Sequence, residues 1–362
     1  MRWIVAVVCA ASGCDSILGL DQVSPIDAAP PCTSYRKAIA ITQDGTTTLQ
    51  DVPVSIVLAS DHDLATHAQA DGRDLVFTDG SGTELPAEIV AYSAGSLEAW
   101  VDVPALPSGM TTIYLDYGGA ARTGLASAAW PSEFVGVWHL GGSGAAEPDS
   151  TIHHHDLSAS DSGPASTSGI VGSARRFVEI GGAPMCVTDG DGSLEFDLGS
   201  FTYETWMQLQ ISLTGQNHVV LAKGATNSAD AGFDLEASDS WVGNVVDDKM
   251  DDAEVTASAE IRGRWVYVAL VVDRTQQLLT SYIDGAFTSS TTTNIVDSVS
   301  SVSEPFCLGG ESDGTFLYRG DLDEVRIASV ARSGDWLRFA GRNLANRDQV
   351  IAVGPQQVIA PN

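Results

Sequence analysis

The sequence predicts an all-β protein built from two sandwiches in series, closed by a short C-terminal helix. Two observations carry that reading. Short runs with apolar residues at alternate positions recur from Tyr35 to Ala331, separated by Gly, Asp, Asn, Pro and Ser clusters. Such period-2 runs mark half-buried strands. Helical spacing is confined to one stretch, Ser333–Asn346, where Trp336, Phe339 and Leu344 share a stripe that docks on a sandwich.

The chain opens with Met1, Arg2 and the apolar run "WIVAVVCA" (Trp3–Ala10), then Ser12-Gly13-Cys14. A charged start, an apolar run and small residues describe a secretory signal, here residues 1–13. The run is too short to span a bilayer, which takes about 20 apolar residues. Residues 14–33 hold three prolines and no sustained period, and read as a tether.

The first sandwich occupies residues 34–120. "VPVSIVL" places Val52, Val54, Ile56 and Leu58 on one face, and "TTIYLDY" does the same for Ile113, Leu115 and Tyr117. No helical period appears in this region. Residues 121–133 form a connection, and the second sandwich runs over residues 134–332. Its strongest strands are "FTYETWMQL" (Phe201–Leu209), "WVYVALVVD" (Trp265–Asp273) and "LLTSYIDG" (Leu278–Gly285), with Asp284-Gly285 as a hairpin turn. Ser158–Ser173 reads as a long loop, and the helix with its tail takes residues 333–362.

Composition narrows the partners. The 362 residues carry 18 Lys and Arg against 47 Asp and Glu, a formal net charge of −29. That balance excludes nucleic acid and anionic membrane as favoured partners, and favours solubility or cation binding. Beyond Cys14 three cysteines remain, Cys32, Cys186 and Cys307, an odd number that allows at most one internal bridge. Spacing alone does not choose the pair.

Three stretches carry family resemblances. Ser12-Gly13-Cys14 resembles the bacterial lipobox, which implies a lipid anchor on Cys14 and a place on the cell-envelope membrane surface. Dual acylation is enough for stable anchoring. "YRKAIAI…DGRDLVFTDGSGTELPAEIVAY…EAWVDVP…IYLDYGG" (Tyr35–Gly119) resembles the bacterial domain of unknown function DUF2341, a family without established activity. "VGVWHLGG…DSTIHHHDLSAS…FTYETWMQL…GRWVYVALVVD…YIDG…CLGG…YRGDLDEVRIASVARSGDWL" is similar to the concanavalin A-like, laminin-G-like (LamG) jelly rolls. The last resemblance implies an antiparallel two-sheet sandwich that binds carbohydrate or protein, often with calcium. It points to Asp149 and Asp323 as calcium ligands tying the ends of the domain together. Cys186 and Cys307 both fall in or beside strands of this region, which makes them the expected disulfide and leaves Cys32 as the odd thiol.

Catalysis is not expected. Glycosidases of this fold carry Glu-x-Asp-x-Glu, whose alternate carboxylates share one strand face, and no such run occurs. Gly310–Gly314 matches G-x-S-x-G around Ser312, but a strand-like "FLYRG" follows where a nucleophile elbow needs a helix. Three adjacent histidines, His153–His155, seldom converge on one zinc without other ligands, and read as a solvated loop. "TDGDGSLEFD" (Thr188–Asp197) has alternate aspartates but lacks the third ligand of an EF-hand.

For ligand binding, alternation in "WVYVALVVD" sends Val266, Val268, Leu270 and Val272 into the core. Trp265 and Tyr267 then face outward, where an aromatic ring can stack on a pyranose; packing under a loop is the competing role for Trp265. The same logic groups Glu204, Trp206 and Gln208. The expected function is a non-catalytic lipoprotein with a LamG-like module for carbohydrate or a surface protein. The alternative is a structural envelope protein whose sandwiches act as spacers, and a glycosidase is the third reading.

Overall fold

The computed structural model describes residues 34–120, 129–178, 181–210, 218–224, 230–238, 240–257 and 262–359. Cys14 and Cys32 lie outside them. Among the described residues no helix is long and apolar enough to cross a membrane.

The first unit comprises β1 (Ser34–Gln43), β2 (Leu49–Leu58), α1 (His62–His67), β3 (Val76–Thr78), β4 (Ala87–Ser93), β5 (Ser96–Leu106) and β6 (Gly109–Tyr117). The second begins with β7 (Phe134–Trp138), β8 (Ala146–Glu147), β9 (Leu157–Ala159), β10 (Ala165–Ser168), β11 (Ser173–Phe177) and β12 (Met185–Val187). It continues through β13 (Phe201–Leu209), β14 (His218–Gly224), β15 (Gly232–Ala237), β16 (Trp241–Val246), β17 (Asp252–Ala257) and β18 (Val266–Asp273). Four strands complete it: β19 (Leu278–Ile283), β20 (Ala286–Thr292), β21 (Phe306–Leu308) and β22 (Gly320–Ala328). The chain closes with α2 (Gly334–Ala345), α3 (Arg347–Val350), β23 (Ile351–Val353) and β24 (Gln357–Ile359).

The architecture is all-β, as the alternation predicts. One sheet of the first unit runs β23-β1-β6-β3 with β24 also on β1, and it faces the three-stranded sheet β2-β5-β4. The second unit stacks two eight-stranded sheets. The front sheet runs β10-β11-β22-β13-β18-β19-β20, with β7 on β22, and the back sheet runs β17-β16-β15-β14-β21-β12-β9-β8. Between them lie Trp138, Phe201, Tyr203, Phe233, Trp241 and the predicted inward set Val266, Val268, Leu270 and Val272. The Asp284-Gly285 turn has φ of 51° and 74°, the two left-handed positions that a type I′ hairpin requires.

Three features depart from the sequence reading. The single-turn α1 is too short to show a period; Asp61 holds it by accepting from the amides of Asp63 and Leu64. Ser158–Ser173 is not one loop, because it contains β10, which forms a hairpin with β11 starting at its end. The C-terminal tail, read only as following the helix, forms strands. β23 pairs with Ile39–Ile41 and β24 with Ser34–Arg36, so the end of the chain supplies two strand segments to the first sandwich.

α2 welds the two units. Ser333 caps it, accepting from the Trp336 amide at 3.2 Å. In its first turn the Asp335 carboxylate accepts four bonds from the amides and hydroxyls of Thr46 and Thr47. Its apolar stripe, Trp336, Leu337, Phe339 and Leu344, joins one continuous core with Val54 and Trp100 of the first sandwich and Trp206 and Tyr267 of the second.

Candidate functional site

On the outward face of the front sheet the expected binding aromatics are covered. Trp206 is 2% exposed and Tyr267 fully buried, both inside the core shared with α2 and the first sandwich. Trp265 is half-buried against the same cluster. A side chain on Gly341 of α2 would sit 2.8 Å from the Tyr267 ring, so the helix backbone lies directly on it. These three aromatics therefore pack between domains, and Trp206 and Tyr267 have no face left for a sugar.

That junction also buries charge. Arg326 pairs with Glu204 at 2.7 Å and lies over the Trp100 ring at 5.1 Å, while the Tyr267 hydroxyl donates to Glu204. His139 bridges the two sandwiches, with Nδ1 2.9 Å from Glu324 and Nε2 3.2 Å from Glu88 of β4. Burial alone would lower the His139 pKa; the charges and hydrogen bonds of Glu324 and Glu88 override it and raise it well above the ordinary value.

The two expected calcium ligands have other work. Asp149 Oδ1 accepts from the amides of Val137 and Thr151, and Oδ2 from the Thr151 hydroxyl and the His155 amide. Asp323 Oδ2 accepts from the amides of Ile170 and Val171, and burial followed by the Glu324 charge pushes its pKa well up. Calcium takes 6–8 oxygen ligands from carboxylates, carbonyls and water. Four protein donors thus occupy the Asp149 carboxylate, and two backbone amides share one oxygen of Asp323.

Cys186 and Cys307 are bridged, facing each other across the β12–β21 pair with Cα atoms 4.1 Å apart.

At the end of the front sheet, beyond the covered zone, the register β11-β22-β13 sets Arg176, Asp321 and Gln208 in one row. Arg176 grips Asp321 through two bonds, Nε to Oδ1 at 2.7 Å and Nη2 to Oδ2 at 2.8 Å. These three, with Leu209, Gln210, Gly263 and Gly320, line an open cleft of about 340 Å³. That volume falls within the roughly 300–1,000 Å³ of small-molecule sites. The cleft combines a fixed guanidinium, a carboxylate and two primary amides, groups suited to paired hydroxyls. Gln208 is the one member of the sequence-derived trio Glu204, Trp206 and Gln208 that remains accessible. Alternation could find it; Arg176 lies on the short β11, just past the stretch read as a loop, and the sequence reading did not single it out.

A smaller cleft of about 200 Å³ on the back sheet includes Cys307, Glu311, Ser312 and Asp313. Ser312 sits in a turn closed by Gly314 N donating to the Glu311 carbonyl, and no helix follows. Nearby on β15, Asp234 is buried; Asn244 donates to its Oδ1 at 2.8 Å. Burial, then the Glu236 charge, pushes that carboxyl well above the usual range, favouring its neutral form.

The fold and its packing define an antiparallel two-sheet β-sandwich fused to a second β unit. Residues 182–338 match the family described as the Concanavalin A-like lectin/glucanases superfamily, of laminin-G type. No curated protein matches the chain. Among solved structures, the binding domain of Paraclostridial Mosquitocidal Protein 1 superposes with a TM-score of 0.51 at 15% identity, covering 59% of this chain and 53% of that one. The binding domain of botulinum neurotoxin serotype G gives 0.49 at 11%, covering 59% and 51%. The likeness is one of fold, and the match spans about half the length of either structure.

Proposed function

We propose that this protein is a non-catalytic, carbohydrate-binding surface lipoprotein, held to the membrane through Cys14 and presenting the Arg176–Asp321–Gln208 cleft to its ligand. The observation that carries the reading is the open row of polar side chains at the end of a sheet face whose Trp206 and Tyr267 are covered by the first sandwich and α2. A superfamily described by its lectins and glucanases supports carbohydrate as the ligand. In this reading Tyr35–Gly119 is the DUF2341-like unit, and it contributes scaffold rather than ligand contacts. Residues 14–33 supply reach: about 20 tethered residues place the sandwiches clear of the lipid headgroups.

The competing reading is a structural envelope protein in which both sandwiches serve as a spacer. One observation favours it: the two units share a continuous core and the tail returns to the first sheet, which makes the pair stiff. A glycan array probed with the purified mature chain separates the two. Reproducible binding to related glycans supports the lectin-like reading, and silence across the array favours the spacer.

A further inference from the structure

Two loops that look inert in sequence meet at one end of the second sandwich. The first precedes β9. Asp149 organises it by holding the amides of Thr151 and His155, and His154 takes a left-handed conformation with φ of 54°. With that reversal between them, the rings of His153 and His155 stack, centroids 5.6 Å apart and planes 10° from parallel. The second loop follows the bridged strand β12. Asp189 accepts from the amides of Gly192 and Leu194, and Asp191 from the amide of Ser193, which fixes both carboxylates.

They converge on one point. His155 Nε2 lies 3.3 Å from Asp189 Oδ1 and 3.2 Å from Asp191 Oδ1, and one donor atom from each residue falls within 4.8 Å of the others. The other ring nitrogen, Nδ1, sits 2.9 Å from the Val135 carbonyl. A carbonyl only accepts, so Nδ1 carries a proton, and Nε2 is the ring atom turned toward the two carboxylates. The Ser193 hydroxyl lies 3.4 Å from the same nitrogen, so three oxygens surround it. A charge-assisted N–H···O bond would be about 2.7–2.9 Å long. The observed separations instead match the edge, about 3.3 Å, of a tetrahedron with metal bonds of 2.0–2.1 Å.

We propose that His155, Asp189 and Asp191 form a binding site for a divalent first-row transition ion such as zinc, with solvent as the fourth ligand. The surroundings are those of a metal site. The Val135 carbonyl orients the His155 ring, and His153 Nδ1, 2.7 Å from Asp191 Oδ2, steadies the second carboxylate. The side chains of His155 and Asp189 are each 3% exposed, while that of Asp191 is 46% exposed, so an ion would be gripped from below and reached from solvent. An imidazole nitrogen among three ligands selects against calcium, which prefers oxygen. The third ligand that "TDGDGSLEFD" lacks comes from a histidine 34 positions upstream of Asp189 (189 − 155).

The test uses the untagged chain, stripped with chelator and titrated with cobalt(II). One equivalent should produce the intense visible bands of tetrahedral cobalt, displaced by zinc(II) and not by millimolar calcium. His153→Gln, which removes only the outer support, should weaken zinc binding about 10–100-fold. Asp191→Asn should weaken it at least as much while keeping the wild-type melting curve in chelator, because that side chain is half exposed. A His155→Gln variant that misfolds leaves Asp191→Asn to decide. Absence of a cobalt band at one equivalent, or a band unchanged in Asp191→Asn, would overturn the assignment.

Discussion

Asn343 closes the open edge of β2 by gripping both backbone groups of Ser55: its Oδ1 accepts from the Ser55 amide at 2.7 Å and its Nδ2 donates to the Ser55 carbonyl at 3.1 Å. The amide side chain imitates a neighbouring strand for one residue, and ties a helix at the end of the chain to a strand near its beginning. Asn343→Ala would leave two buried backbone groups unpaired, at about 1–3 kcal/mol each. We expect a loss of roughly 2–4 kcal/mol in urea unfolding. Wild-type stability in that variant would mean the contact is dispensable.

His139 makes the domain junction sensitive to alkali. Its raised pKa means the folded state holds the proton more tightly than the unfolded chain does. The stabilisation is therefore complete below the free-histidine value of about 6.5 and is lost as pH rises through the higher folded value. Deprotonation would leave Glu324, with a side chain only 1% exposed, beside a neutral ring. The urea midpoint of the wild type should fall between neutral and alkaline pH, and His139→Gln should flatten that fall. Parallel curves for the two proteins would remove His139 from the explanation.

Gly341 sets how closely α2 approaches Tyr267. A Cβ there would meet the ring at 2.8 Å, so Gly341→Ala should cost about 1–3 kcal/mol through overpacking. Ligand binding at the remote cleft should be unchanged. A loss of binding without a loss of stability would place the ligand at the junction after all.

The Cys186–Cys307 bridge spans 121 positions. Closing so long a loop in the unfolded chain makes its removal cost about 2–5 kcal/mol. Cys186→Ser/Cys307→Ser should melt lower than the oxidised wild type and match the wild type in reductant. Peptide mapping that finds Cys32 bridged instead would contradict the pairing.

Much of the fold is legible because each strand announces its inner face. Val266, Val268, Leu270 and Val272 alternate, and all four reach the core between the sheets. What alternation does not reveal is the cover on the opposite face. Tyr267, Ala269 and Val271 point away from the first core into a second one, completed by Trp336 and Leu337 from far along the chain. An outward aromatic and an aromatic buried under another domain look alike in one strand. The continuous apolar run from Val266 to Val272 was the available signal, since a strand wet on one face would alternate with polar residues. The cleft was half legible: Gln208 shares a face with Trp206, but its partner Arg176 lies on β11, a five-residue strand that begins where the Ser/Thr-rich stretch ends. Asp149 and Asp323 are buried among backbone amides, a use that a list of acidic residues does not distinguish from metal binding.

Lipid attachment is tested by fractionation. Wild-type chain should partition into detergent with a processed N-terminus, and Cys14→Ser should remain unprocessed or leave the membrane fraction. A mutant that partitions with the mass of the wild type would end the lipoprotein reading.

The most direct measurement compares the wild type with Arg176→Ala, Gln208→Ala and Trp265→Ala on one array of neutral and sialylated oligosaccharides. The account predicts a reproducible set of bound glycans, with signals at least about tenfold lower in Arg176→Ala and Gln208→Ala, as expected when hydrogen bonds to charged or buried polar groups are lost. Trp265→Ala should bind as the wild type does. No bound glycan for the wild type, or a loss confined to Trp265→Ala, would contradict the claim that this cleft is the ligand site.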